Sequence, residues 1–555
     1  MVDKSGSKNE VETSEWEVAS GQVAPLDRNK KEIGTISAIG LIFNRMVGTG
    51  IFATTSTIFV LSGSVGLSLI LWFVGSLISL AGLYVYMEFG SAITKNGGEK
   101  NYVEYVYRKP KFLASAMYAS YVFFLGWASG NSIVFGEYIL TAAGVTVTRW
   151  NERGIGIACV TFAFLVHSIN VKAGVYLQNV LGLFKLVIIL IITVTGWVAL
   201  GGGISGAPGK ANFHDSFSGT PVTGYGVVTA LYNIIWSFIG YSNANYALGE
   251  VKNPIKTLRI AGPSAVICLA VIYMLVNIAY FAVVPLDELA GSGQIVASNF
   301  FRIAFGRKSE KALSVFVALS ALGNVMSVIF SQGRIVQQLG REGILPFSKF
   351  FATQKPFNTP MVGLFEHWVV CVITIVAPPP GDAYNFILNL ISYPLNIVNM
   401  FVAAGLLWLH YRNKKGKESW NPPIKATIPV TMFFLLSSIY LVVAPYVPPS
   451  AGQSVYNSLP YYLHCVVGIG IFAFGALYWV VWAWVLPAIG GYRLDSKEEL
   501  GDDGFWRHRI VKVKNGQDIE EAVEEEQSKE VIPSVGSSSQ TEGFETKEST
   551  NSVAF

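Results

Sequence analysis

Charged residues are scarce in this sequence. Asp, Glu, Lys and Arg together make up 14% of the 555 residues, whereas 52% of the residues are hydrophobic. Soluble globular domains carry about 25% charged residues, so this composition excludes a chain of several soluble domains. The sequence therefore predicts an integral membrane protein, and we expect no nucleic-acid partner.

Cysteine and histidine are also few, and neither is arranged as in a catalytic or metal site. Each cysteine falls inside an apolar segment and shows no metal-ligand spacing, which is typical of buried apolar filling rather than of disulfides. The cysteines are Cys159, Cys268, Cys371 and Cys465. The histidines form no HExxH motif, and the chain has no GxSxG elbow. A membrane-embedded acyltransferase or protease is therefore disfavoured, and we expect no enzyme activity, metal or cofactor.

Apolar runs long enough to span a membrane recur along the chain. A run of about 18 or more apolar residues crosses the hydrocarbon core as a helix whose backbone hydrogen bonds are made internally. We predict an all-α membrane protein with twelve such helices, at 36–60, 66–93, 114–143, 155–170, 176–200, 226–248, 260–284, 312–333, 361–377, 384–409, 427–446 and 463–487. Together they make a membrane domain over residues 36–487.

The distribution of Lys and Arg predicts the orientation of these helices. Short loops that stay in the cytoplasm are enriched in both residues, and this enrichment is found when the N-terminus is placed inside. Residues 1–35 are then a cytoplasmic tail without a secretory signal, and 285–311 is an outer loop with a short helix of its own. We expect a multi-pass protein of the plasma membrane with both termini in the cytoplasm.

The composition changes again in the C-terminal tail, residues 488–555. An acidic run, EEAVEEE, is followed by a Ser/Thr-rich end, and such segments cannot bury enough apolar area to fold alone. We expect a largely disordered cytoplasmic tail. It is either simply solvated or a site for phosphorylation and for ubiquitin-ligase or trafficking adaptors, and the sequence leaves both open.

Two of the predicted helices are interrupted by glycine and polar residues. Gly48, Thr49 and Gly50 lie inside the first helix, and Gly240, Ser242 and Asn243 lie inside the sixth. A single glycine is often explained by close helix packing, and the GxGxxA pattern at Gly48 lacks the preceding strand and the acidic residue of a dinucleotide site. Paired interruptions in two five-helix halves instead indicate an inverted-repeat secondary transporter.

The predicted halves are residues 36–200 and 226–409, with helices 11 and 12 at 427–487. Backbone N–H groups of an unwound turn are tolerated at membrane depth where they meet protein, water or a ligand. The N-terminal end of a half-helix attracts a carboxylate, and the free carbonyls of the preceding half-helix accept hydrogen bonds from an ammonium group. A zwitterionic amino acid therefore matches both ends of the interruption.

Four segments carry a resemblance to a known family. They are RMVGTGIF at 45–52, LQNVLGLFKLVIILIITVTG at 177–196, GYSNANYALGEVKNPIKTL at 240–258 and LGNVMSVIFSQGRIVQQLGREGILP at 322–346. Taken together they resemble the amino acid–polyamine–organocation (APC) superfamily, most closely the L-type amino acid transporter branch and its fungal methionine permeases. The resemblance covers residues 36–487.

The resemblance implies a substrate site at the two interruptions. The substrate carboxylate is expected at the N–H groups around Gly48, Thr49 and Gly50, and its ammonium group at carbonyls near Met46, Trp236 and Ile239. Trp236 matches the aromatic gate of the family. The chain has Ile239-Gly240-Tyr241-Ser242 where many L-type members have Gly-Gly-Trp-Asn, so the side-chain pocket differs.

Lys185 lies in the middle of the fifth predicted helix. An intramembrane lysine is a candidate functional residue because its insertion is costly, although lysines near helix ends extend to the interface instead. In the resembling family a lysine here takes the place of sodium and ties the first helix to the eighth. The resemblance thus implies sodium independence and a coupling role for Lys185, through proton symport.

Other polar residues are candidates for the cavity or a gate. Asn131, Ser242, Asn243 and Asn324 are expected to line the cavity, although buried Asn is also ordinary interhelical contact. Glu88 is a candidate for gating or proton transfer, and a structural role at its helix end fits equally well.

Three functions are compared on this basis. An importer of neutral amino acids, methionine by resemblance, is favoured over an exchanger for leucine or cysteine and over an amino acid sensor with little transport. Because no cysteine falls in a predicted outer loop, we expect no heavy-chain subunit.

Overall fold

The computed structural model of this chain describes residues 34–93, 97–219, 222–242, 245, 253–450, 454–500 and 506–523. Up to Leu200 its helices are α1 (Thr35–Met46), α2 (Gly50–Ala53), α3 (Thr55–Ser62), α4 (Val65–Ala92), α5 (Glu99–Val106), α6 (Leu113–Phe124), α7 (Ser129–Ala143), α8 (Arg149–Ile169) and α9 (Val171–Leu200). Next come α10 (Gly224–Phe238), α11 (Pro254–Val283), α12 (Leu286–Gly291), α13 (Val296–Phe305), α14 (Arg307–Arg341), α15 (Ser348–Ala352), α16 (Met361–Val376) and α17 (Ala383–Lys414). The chain continues through α18 (Ile428–Val443), α19 (Leu463–Val480), α20 (Leu486–Gly490), β1 (Tyr492–Leu500) and β2 (Trp506–Lys514).

Eight helices in the described part of the chain are long and apolar enough to cross a membrane. They are Val65–Ala92, Arg149–Ile169, Val171–Leu200, Pro254–Val283, Arg307–Arg341, Ala383–Lys414, Ile428–Tyr446 and Leu463–Gly490. Two shorter apolar helices, Ala38–Ala53 and Met361–Val376, accompany them. The chain is therefore a multi-span helical membrane protein, and the predicted outer segment 285–311 does contain short helices, α12 and α13.

The third predicted helix, 114–143, is interrupted rather than continuous. It consists of α6 and α7, separated by Leu125–Ala128, and Leu125 is extended. Gly126 lies in this gap, where a Cβ atom would come 2.2 Å from the Thr374 hydroxyl of α16. The gap therefore brings the backbone of this segment against α16, which the apolar count alone could not predict.

The first interruption lies directly against α10. A Cβ atom on Gly50 would lie 2.2 Å from Oγ and 2.8 Å from Cα of Ser237. The second of these atoms belongs to the backbone and cannot move aside as a side chain can. Glycine at position 50 is therefore required for α2 to pack against α10.

The C-terminal region contains structure where the sequence predicts a largely disordered tail. β1 and β2 pair antiparallel, from Tyr492 opposite Lys514 to Leu500 opposite Trp506. The Ile510 N–H donates to the Glu342 carbonyl at 2.9 Å, so the hairpin attaches to the segment after α14. Val511 and Val513 alternate along β2 and pack on Ala522 and Val523 of a short helix at 519–523. This alternation of valines is typical of a strand with one buried face. Residues 524–555 and nearly all of the N-terminal tail lie outside the described residues.

We expect Gly50→Ala to lower the thermal unfolding midpoint of the purified protein by a few degrees. Forcing extra atoms into a packed contact costs about 1–3 kcal/mol, and the added methyl group would overlap the Ser237 backbone. Gly40→Ala is the matched control, because a Cβ atom there meets nothing within 4 Å. Equal unfolding midpoints for the two variants would contradict the close approach of α2 and α10.

Candidate functional site

The first interruption is a short unwound turn between α1 and α2. Helix α1 ends at Met46, Val47 has φ −73° and ψ 90°, and α2 begins at Gly50. The Gly48 N–H donates to the Met46 carbonyl at 2.9 Å, so this turn makes its own local hydrogen bond. The predicted interruption of the first helix is confirmed.

The side chains of two asparagines meet at this turn. The backbone N–H of Thr49 donates to Oδ1 of Asn131 at 3.2 Å, and the Thr49 hydroxyl donates to the same oxygen at 2.5 Å. Nδ2 of Asn131 donates to Oδ1 of Asn324 at 3.0 Å, and Nδ2 of Asn324 donates to the Arg45 carbonyl at 3.1 Å. The structure thus places both predicted cavity asparagines, from α7 and α14, at the first interruption.

The second interruption follows α10, which ends at Phe238. Gly240 has φ +116°, a conformation that other residues rarely adopt, and a Cβ atom there would lie 2.6 Å from Cγ of Arg45. The second unwound segment therefore contacts the end of α1, directly before the first interruption. Ser242 is partly buried beside them, and Asn243 lies outside the described residues.

Tyr273 of α11 joins the two interruptions, and sequence analysis missed it. Its hydroxyl lies 3.0 Å from the Met46 carbonyl and 3.0 Å from the Ser237 carbonyl. A phenol hydroxyl has one proton to donate, so at any time it donates to one of the two carbonyls. The other carbonyl can then accept a hydrogen bond from another donor. The Trp236 carbonyl, predicted to meet the ammonium group, accepts from the Ile239 N–H at 3.2 Å in this structure.

Two aromatic side chains flank the Thr49 turn. Trp236 is buried, and its ring lies 3.4 Å from a Cβ position on Gly130, the residue before Asn131. The Tyr384 hydroxyl from α17 is buried and lies beside Thr49 and Trp236.

Lys185 lies fully buried in α9, so it does not extend to the interface. Its Nζ donates to the backbone carbonyl and to Oδ1 of Asn44, both at 3.1 Å. Cε of Lys185 is 3.5 Å from a Cβ position on Gly323 of α14. The lysine therefore ties α9 to α1, next to α14.

Glu88 is the predicted site residue that the structure places elsewhere. Its carboxylate accepts from the Trp420 indole at 2.8 Å and from the Ala426 N–H at 2.6 Å, and it lies 2.6 Å from Nε2 of His410. These partners belong to the end of α17 and to the segment joining it to α18. In this structure Glu88 fixes that connection, and its role in gating stays a prediction.

The described residues offer polar groups rather than metal ligands. Within them no group of three or more His, Cys, Asp or Glu side chains could hold a metal ion. The interruption instead presents backbone amides, hydroxyls and side-chain amides, which are groups that can form hydrogen bonds with a small polar ligand.

Comparison with known proteins matches this geometry to a family. Residues 33–474 match the family described as amino acid permease. The chain is 61% identical over 501 residues to the high-affinity methionine permease of Saccharomyces cerevisiae, covering 90% of this chain and 87% of that one. It is 30% identical over 513 residues to the low-affinity methionine permease of the same organism, covering 90% and 91% of the two chains.

A more distant relative belongs to the L-type branch. The human b(0,+)-type amino acid transporter 1 is 27% identical over 445 residues, which covers 79% of this chain and 86% of that one. The first of these matches covers most of both chains at high identity, and the family match spans most of the membrane helices. The chain belongs to the amino acid permease family and is a transporter rather than an enzyme.

Proposed function

We propose that this permease imports neutral amino acids, methionine first among them, across the plasma membrane by alternating access. The 61% identity to a high-affinity methionine permease over 90% of the chain carries the proposal. The paired interruptions, held together by Tyr273, supply a site of the right chemistry.

In the proposed architecture, twelve helices form two inverted five-helix repeats followed by two further helices. Eight described helices span a membrane by length and composition. The other four predicted spans coincide with the interrupted helix α1 to α3, the divided pair α6 and α7, α10, and α16. The excess of Lys and Arg in one set of loops supports cytoplasmic termini.

The proposed substrate position follows from the backbone polar groups of the first interruption. The carboxylate binds at the backbone around Thr49 and Gly50, since charge-assisted hydrogen bonds to N–H groups are stronger than neutral ones. The ammonium group binds near the Met46 and Ser237 carbonyls, which share the single Tyr273 proton. Trp236 and Tyr384 enclose the side chain.

Two other functions are distinguished from import by measuring amino acid uptake into vesicles that contain the purified chain. An exchanger for leucine or cysteine would transport only when the vesicles are preloaded with amino acid. A sensor would bind an amino acid without net uptake. Each of the four cysteines lies within a helix rather than in a loop, and the proposal includes no disulfide-linked heavy chain.

Uptake of radiolabelled methionine into vesicles containing the purified chain tests the function. Sodium is kept equal on both sides, an inward proton gradient is present or absent, and leucine, lysine and glutamate are competitors. We expect the proton gradient to increase methionine uptake. Leucine should inhibit this uptake by competition, whereas lysine and glutamate should have no effect on it. Methionine binding without uptake in empty vesicles would favour the exchanger or the sensor, and absence of binding would refute the substrate assignment.

The proposed coupling depends on Lys185, so Lys185→Met should reduce proton-driven uptake by about 10-fold or more. The variant keeps the length of the side chain but removes the charged donor of two hydrogen bonds to Asn44, each of which contributes about 1.5–3 kcal/mol. Lys172→Met is the control, because Lys172 is exposed at the start of the same helix. If Lys185→Met retains full proton-dependent uptake, Lys185 has no coupling role.

A further inference from the structure

We infer that the side-chain oxygen of Asn131 occupies the place that the substrate carboxylate takes, and that substrate binding releases the first helix by displacing it. The structure shows one continuous path from the Thr49 donors through Asn131 and Asn324 to the Arg45 carbonyl. The inference rests on the proposed function, because it needs an amino acid carboxylate at the first interruption.

The Arg45 carbonyl at the end of this path determines which group donates in each of its hydrogen bonds. The Arg45 carbonyl can only accept, so Asn324 must present its NH₂ group there and its oxygen to Asn131. Asn131 must then donate to that oxygen and turn its own oxygen toward Thr49. The amide orientations are thus set by the hydrogen-bond network itself, which is the proper basis for assigning them.

Both donors of Thr49 are occupied by one oxygen. The Thr49 N–H and hydroxyl lie 3.2 Å and 2.5 Å from Oδ1 of Asn131, the arrangement that a carboxylate oxygen would adopt there. A carboxylate can reach these donors only if the Asn131 oxygen leaves. The buried Tyr384 hydroxyl also lies beside Thr49.

The substrate competes successfully because its oxygen is charged and the asparagine oxygen is not. Charge-assisted hydrogen bonds are roughly twice as strong as neutral ones. A carboxylate therefore displaces Asn131, whereas an alcohol or amide in its place does not. The exchange selects for the free carboxylate before the rest of the amino acid is recognised.

Displacement of Asn131 has a consequence for the inner part of the first helix. When Asn131 turns away, the oxygen of Asn324 loses its donor, and Asn324 is no longer held toward the Arg45 carbonyl. Arg45 is the second-last residue of α1, so the loss of this hydrogen bond loosens the end of that helix. Substrate binding is thereby linked to the motion of α1 that opening to the inside requires.

Close packing explains why the turn carries glycine at position 48. A Cβ atom on Gly48 would lie 2.9 Å from Nδ2 of Asn324 and 3.4 Å from Oδ1 of Asn131. Any side chain at this position would push against the two amides. Gly48 therefore allows the path to pass directly over the turn.

The test compares methionine binding and the maximal uptake rate of Asn131→Ala with those of the wild type. Removal of the competing oxygen should tighten the methionine Kd by about 3- to 10-fold, the value of one ordinary hydrogen bond. Maximal uptake should fall, because without Asn131 the Asn324 amide is not held toward the Arg45 carbonyl in either state, so substrate binding no longer changes how the end of α1 is held. A residue that only supports the fold would weaken both quantities.

Asn131→Asp should change binding in the opposite direction. An aspartate keeps the shape of the side chain but places a permanent anion at Thr49, so methionine should bind about 10-fold more weakly or worse. Asn324→Ala removes the acceptor that orients the Asn131 amide, so it should tighten the methionine Kd as Asn131→Ala does. The double variant should bind methionine no more tightly than either single variant. Since these variants act through different side chains, the inference stays testable if one of them fails to fold.

Asn396→Ala is the control for the loss of a buried asparagine. Asn396 is 2% exposed in α17, and its Nδ2 donates to Ser392 of its own helix, so its removal should leave the methionine Kd unchanged. Weaker binding in both Asn131→Ala and Asn324→Ala would overturn the inference and make the asparagines direct ligands. Absence of methionine binding by the wild type would instead refute the proposed function.

Discussion

Unpaired backbone groups inside the membrane are the constraint on which the structure of this permease depends. A helix that unwinds at membrane depth exposes N–H and C=O groups that lipid cannot satisfy. In the first interruption the Thr49 N–H is satisfied by Asn131, and the Met46 carbonyl by the Gly48 N–H and Tyr273. Each partner comes from a helix packed around the turn or from the turn itself, so the interruption can exist only inside this arrangement of helices.

The surrounding elements follow from the same requirement. The partners of the turn must approach its backbone closely, and glycine supplies the room at Gly48, Gly50 and Gly240. Lys185 then fixes the inner part of the first helix through Asn44, and Tyr273 fixes the first interruption to the second. A substrate that takes over some of these hydrogen bonds necessarily changes how the first helix is held, which is the physical basis for linking binding to motion.

The sequence predicted the parts of this site that depend on local composition. Two glycines around Thr49 inside an apolar run, and a lysine at membrane depth, are unusual enough to be recognised without a structure. Tyr273 was not recognised, because a tyrosine in an apolar helix is typical of ordinary packing and its hydroxyl becomes informative only when its partners are known. The same holds for Tyr384, and for the division between α6 and α7, where Gly126 alone gives a weak signal.

The C-terminal hairpin was not predicted, because the composition of its sequence indicates disorder. Its strands carry many charges, and the tail as a whole has the composition of a disordered segment. The valine alternation in β2 is too short to predict a hairpin against that composition. The hairpin attaches through a backbone hydrogen bond to Glu342, an ion pair between Lys111 and Asp495 at 3.1 Å, and the packing of Leu494 and Ile510 on an apolar cluster. Such contacts depend on distant segments and cannot be derived from local pattern.

An experimental structure of the purified chain with methionine bound tests the central claim most directly. The account predicts a methionine carboxylate within about 3 Å of the donors at Thr49 and Gly50, with the Asn131 oxygen displaced from Thr49. Methionine bound elsewhere would contradict the assignment of the interrupted helices as the substrate site. Methionine at the site with the hydrogen bonds between Thr49 and Asn131 unchanged would contradict the displacement mechanism.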